Sequence, residues 1–106
     1  MTEIISIDPR HPDRSEISRA VEFLKSGQVI AYPTETIYGL GADALSRKAV
    51  KRIYDLKSRD YGLPISILVA DLKMLRTVVA SVPDRTLPLM RKYWPGPLTI
   101  LFPVSD

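Results

Sequence analysis

The sequence predicts an α/β fold, a twisted mixed sheet with helices packed on it. Two observations carry that reading. Short apolar, partly β-branched runs alternate with segments whose apolar residues recur at helical spacing, and proline, glycine and capping residues punctuate the boundaries. The composition is that of a globular chain: 106 residues, 45% hydrophobic and 25% charged. That length suits one domain, which would bury roughly 65% of its unfolded surface.

Glu3 to Ile7 predicts a short first strand, ended by the prolines at 9 and 12. Asp13 then reads as an N-cap with Glu16 three residues on, a capping-box pattern. Ile17, Ala20, Val21 and Leu24 follow at helical spacing and Gly27 ends the run, which predicts a helix over roughly residues 14–26. Gln28 to Tyr32 predicts a strand buried on both faces. After a polar loop, Ser46 caps a second helix with an inner face of Ala49, Val50, Ile53, Tyr54 and Leu56, fading near Lys57. Gly62 and Pro64 break the chain, and "PISILVA" predicts another apolar strand. A short helix opens at Asp71, a fourth lies near Thr86–Tyr93 with Pro88 in its first turn, and Leu98 to Phe102 predicts a last strand. The sequence stops soon after that strand, so the expected architecture is a single domain over 1–106, truncated at its C-terminus. A sheet left open in this way offers an edge for self-association.

Several chemistries are excluded. There is no cysteine, hence no disulfide or thiolate, and the lone His11 cannot build a zinc site, so no protein-bound structural metal is expected. The N-terminus lacks a signal-peptide pattern, and no apolar run approaches the ~20 residues of a membrane span. A cytoplasmic chain away from membranes is the expectation. The net charge of +3 is mild, but six cations lie between Arg47 and Arg59 against Asp55 alone. Such a cluster can attract the phosphates of a nucleotide or RNA, although a solvated helix face is the simpler reading for most of it.

Two constellations carry chemistry. In "AYPTETIYGLGADA" the chain leaves a strand at Pro33 and presents Thr34, Glu35 and Thr36 at its carboxyl end, where ligands sit in open α/β sheets. Tyr38 offers a wall with a polar tip, and Gly39 and Gly41 let a ligand approach the backbone. A tight turn, with Thr34 and Thr36 bonded to local amides, accounts for the same residues equally well. In "LKSRD", Lys57 and Arg59 supply an ammonium and a planar fork suited to phosphate or carboxylate oxygens. Taken alone, two cations at a helix C-terminus need no ligand.

In order, "PTETIYGLGADA", "KSRD…PISILV" and "YWPGPLTILF" closely resemble the successive signatures of the YrdC-like threonylcarbamoyl-AMP synthase family, over about Gly27 to Phe102. The resemblance implies a YrdC-like fold with a positively charged concave face. It also implies an enzyme that condenses L-threonine, bicarbonate and ATP into threonylcarbamoyl-AMP and pyrophosphate. A partner transferase complex then modifies tRNA. By the same resemblance Thr34 and Tyr38 hold threonine, with Thr36 supporting the loop. Lys57 and Arg59 serve as the catalytic cations that bind the ATP phosphates and the carboxylate of N-carboxylated threonine. Thr99 faces the nucleotide from the strand after "PGP", and Mg²⁺ accompanies ATP. Asp60 stands where the family often has proline, and Leu68 where some relatives have histidine. The family domain is nearly twice this length, so the resemblance implies an incomplete nucleotide wall here. Two alternatives remain: an RNA- or nucleotide-binding module of the same fold without catalysis, and a paralogue with other carbamoyl chemistry.

Overall fold

The computed structural model describes residues 2–104; the ends of the expected 1–106 span, residues 1 and 105–106, lie outside the described residues. The chain divides into two compact units, Met1–Leu63 and Pro64–Asp106.

The first unit holds α1 (Arg14–Lys25), β1 (Ile30–Tyr32), β2 (Gly39–Gly41) and α2 (Arg47–Lys57). Asp13 caps α1 by accepting the Ser15 N–H at 2.8 Å. The second half of the expected capping box does not form, because the Glu16 carboxylate lies 3.5 Å from Arg19 instead. The expected strand at Glu3–Ile7 is not paired among the described residues, and Glu3 forms an ion pair with Arg19 of α1. Ser46 caps α2, accepting the Ala49 N–H at 3.2 Å. β1 and β2 pair antiparallel, with Ile30 opposite Gly41, Ala31 opposite Leu40 and Tyr32 opposite Gly39.

This small sheet corrects two expectations. β1 is shorter than expected and is not buried on both faces: Ala31 is exposed while Ile30 and Tyr32 are half-buried. A two-stranded hairpin shields little on its own. Its partner β2 lies inside the stretch read as loop, since "GLG" carries no strand propensity. On α2 only Ala49 and Ile53 are buried, and Leu56, expected on the inner face, is 64% exposed.

The second unit holds α3 (Leu72–Arg76), a 3₁₀ turn at Asp84–Thr86 and α4 (Leu87–Tyr93). Asp71 caps α3 through the Met74 N–H at 2.7 Å. Pro88 lies in the first turn of α4, where its missing N–H costs nothing. Among the described residues of this unit Leu75, Met90 and Thr86 are buried, and the Thr86 hydroxyl donates to the Pro83 carbonyl at 2.6 Å. The runs expected as strands at 64–70 and 98–102 form no strand among the described residues. Pairing begins just beyond the second, where Val79 bridges Val104 antiparallel and the Ala80 N–H donates to the Pro103 carbonyl at 2.9 Å. The "WPGP" turn is anchored by the Trp94 indole N–H, which donates to the Leu98 carbonyl at 2.9 Å. A side chain at Gly96 would run into the Tyr93 carbonyl, so only glycine fits there.

Candidate functional site

Five of the six expected site residues lie in the first unit. Thr34, Thr36 and Tyr38 belong to the exposed loop that joins β1 to β2, and Lys57 and Arg59 flank the end of α2. Thr99 belongs to the second unit, exposed in the stretch after "PGP".

The β1–β2 loop is closed by its own side chains. The Thr34 hydroxyl donates to the Ile37 carbonyl and accepts the Thr36 N–H at 3.3 Å. The Thr36 hydroxyl lies 3.3 Å from that of Thr34. Because the Thr34 proton is directed at Ile37, Thr36 is the donor of this pair. Thr34 is thus the staple of the turn, and Thr36 bonds to it from the side. Tyr38 stands 74% exposed. The two glycines have a specific task. Tyr32 and Ile30 share a sheet face with Gly39 and Gly41, and a Cβ at Gly41 would come within 2.7 Å of the Tyr32 ring. The Tyr32 ring occupies the space that a side chain at Gly41 would need.

Lys57 and Arg59 are separated by Ser58, whose backbone is left-handed at φ 49, ψ 41. The Ser58 N–H donates to the Asp55 carbonyl at 3.3 Å and the Arg59 N–H to the Tyr54 carbonyl at 2.9 Å. This is the Schellman pattern of helix termination, with serine at the position that favours glycine. Helical geometry thus ends between Lys57 and Arg59.

The segment that follows folds back on α2. The Asp60 carboxylate accepts the Gly62 N–H at 2.8 Å and its carbonyl accepts the Leu63 N–H at 3.0 Å. Asp60 therefore forms an Asx turn, doing with hydrogen bonds what proline does by ring closure. The Tyr54 hydroxyl donates to the Leu63 carbonyl at 2.5 Å. Tyr61 lies against Tyr54, ring centroids 5.3 Å apart, and its hydroxyl donates to Asp55. Lys51 donates to the other Asp55 oxygen at 3.0 Å and sits 5.8 Å from the Tyr61 ring centroid. The Tyr61 hydrogen bond first, then that of Lys51, holds the Asp55 carboxyl below its ordinary range; Asp55 in turn raises Lys51. Sequence reasoning missed this cluster of tyrosines and charges. The signal available was "DYG", an Asx-turn triplet directly after the basic pair.

An open groove of about 470 Å³ is lined by Gln28, Val29, Arg52, Asp55 and Leu56, none of them an expected site residue. Arg52 closes one side, donating to the Gly27 carbonyl at 3.3 Å. Among the described residues no three acidic or histidine side chains converge as a metal site, and no helix is long and apolar enough to cross a membrane.

Comparison with known proteins places this geometry in a family. The family model for Sua5, YciO and YrdC proteins, described as telomere recombination, matches residues 22–106. The threonylcarbamoyl-AMP synthase of Pyrococcus abyssi is 40% identical over 106 residues, all of this chain and 31% of that protein. That of Bacillus subtilis is 40% identical over 88 residues, 83% of this chain and 25% of that protein. The chain thus spans about a third or less of these relatives. The crystal structure of P. abyssi Sua5 complexed with L-threonine superposes with a TM-score of 0.86 at 38% identity, covering 91% of this chain and 28% of that one. With its α/β fold and its three motifs in order, the chain belongs to the Sua5–YciO–YrdC family.

Proposed function

We propose that the protein is a threonylcarbamoyl-AMP synthase, one YrdC-like domain that forms threonylcarbamoyl-AMP and pyrophosphate from L-threonine, bicarbonate and ATP. The observation that carries this reading is 40% identity along the whole chain to a synthase of that name, with a relative solved in complex with L-threonine.

In this reading the β1–β2 loop receives threonine. Thr34 and Tyr38 hold the amino acid, and Thr36 supports the loop, its hydroxyl 3.3 Å from that of Thr34. Lys57 and Arg59 take the α- and β-phosphate oxygens and the carbamate carboxylate. The carbamate oxygen attacks the α-phosphorus, the bond to the β-phosphate oxygen breaks, and pyrophosphate leaves. No protein nucleophile is required, because alignment and fixed positive charge suffice for such a displacement. Mg²⁺ would accompany ATP and offset the charge of its phosphates. Thr99 would contribute to the nucleotide side. The product would pass to a transferase acting on tRNA in the cytoplasm, and exposed apolar residues such as Leu68 and Leu101 favour self-association.

The test is pyrophosphate release with each substrate omitted in turn. Release that requires threonine, bicarbonate and ATP together supports the proposal, and release without threonine refutes it. The second reading, an RNA-binding module, draws on the exposed cations of α2. It requires retention of tRNA at low salt that weakens steeply as salt is added.

A further inference from the structure

The segment after α2 is held by three side chains that the proposed chemistry does not use. Tyr54 brackets it at both ends: its carbonyl takes the Arg59 N–H and its hydroxyl donates to the Leu63 carbonyl. Tyr61, midway, packs on the Tyr54 ring and donates back to Asp55. Asp55 is the single acid among the cations from Arg47 to Arg59, and both its oxygens are engaged, one by Tyr61 and one by Lys51.

We propose that Tyr61, through its hydroxyl bond to Asp55, is a positioning residue that holds the Lys57–Ser58–Arg59 turn ready for a nucleotide triphosphate. The inference rests on the assignment of Lys57 and Arg59 to the phosphates. The clasp fixes the loop that begins at Arg59, so less ordering is left to be done when ATP binds. All of these residues are exposed or half-buried, so their arrangement contributes to loop order far more than to the core.

The experiment measures ATP and threonine dissociation constants by calorimetry, together with thermal melting, for the intact protein and for Tyr61→Phe, Asp55→Ala and Asp55→Asn. Tyr61→Phe keeps the ring and loses only the hydroxyl. The expected result is ATP affinity weaker by about 3–10-fold, as when the binding-competent loop population falls by that factor. Threonine affinity should stay within about twofold and the melting temperature should be nearly unchanged. Asp55→Ala should match Tyr61→Phe. Asp55→Asn, which still accepts the phenol proton, should recover most of the loss.

Unchanged ATP affinity in Tyr61→Phe overturns the inference. So does a parallel loss of both affinities with a lower melting temperature, which would mark general destabilisation. Lys57→Ala and Arg59→Ala separate this failure from that of the functional reading. If they leave ATP affinity intact, the phosphate assignment itself is wrong. If they abolish it while Tyr61→Phe does nothing, only the positioning role falls.

Discussion

Replacing Ser58 by glycine removes a Cβ from the one non-glycine residue with positive φ among the described residues. At φ 49, ψ 41 an L-residue carries roughly 1–2 kcal/mol of strain. Glycine relieves it but gains freedom in the unfolded chain, which takes back about 0.4–1 kcal/mol. The net expectation is a stabilisation of about 0.5–1 kcal/mol, or a rise of about 2–8 °C in melting temperature for a unit of this size. Both hydrogen bonds of the turn are donated by backbone N–H groups, so Ser58→Gly keeps them. ATP affinity should therefore hold within about twofold. Ser58→Val is the opposing change, because a β-branched residue is a clear outlier in this region. It should lower stability by about 1 kcal/mol or more and weaken ATP binding, since Lys57 and Arg59 are spaced by this residue. Circular-dichroism melts and calorimetric ATP titrations on the three proteins measure both effects. A glycine variant that melts lower than the parent, or a valine variant with unaltered ATP affinity, would refute the reasoning.

Other consequences are as specific. Gly41→Ala places a Cβ about 2.7 Å from the Tyr32 ring and should cost about 1–3 kcal/mol; in a Tyr32→Ala background most of that penalty should vanish, a coupling that a double-mutant cycle of melts detects. The Asp13 and Asp55 carboxyls are held below the ordinary 3.8, Asp13 by Ser15 and Asp55 by Tyr61 and Lys51. Their stabilisation is present above that value and lost as pH falls through the lowered one, so melting temperature should drop on acidification below about pH 4. Lys51 is raised from 10.5, so its share persists below that pH and fades as pH rises through the raised value. Leu68, 71% exposed, contributes to an apolar stretch without a strand partner; Leu68→Lys should reduce self-association in sedimentation velocity, and an unchanged distribution would exclude that stretch as the contact.

Local signals were legible where they carry their own physics. Asp13, Ser46 and Asp71 cap the helices they were expected to cap, because a capping bond needs only neighbouring amides. The α4 proline fell within the first turn for the same reason. Strands were less legible, because a strand exists only through its partner. Residues 65–69 have the right apolar content but no ladder among the described residues, whereas "GLG" pairs because Tyr32 needs the space opposite. In the candidate site, the residue types around Thr34 and Lys57 were readable as motifs. The particular hydrogen bonds that join them to their neighbours were not. That Thr34 staples its own loop depends on where one proton points. The Asp55–Tyr61 bond joins residues whose sequence spacing matches no periodic pattern.

An amide-shift map of the isotopically labelled protein, recorded on adding threonine and then ATP, bears most directly on whether the two motifs serve one reaction. Threonine should move the resonances of residues 34–39, and ATP those of 57–61, with saturation at defined concentrations. Shifts from both ligands that fall elsewhere, or none at all at millimolar ligand, would contradict the assignment of these residues to substrate.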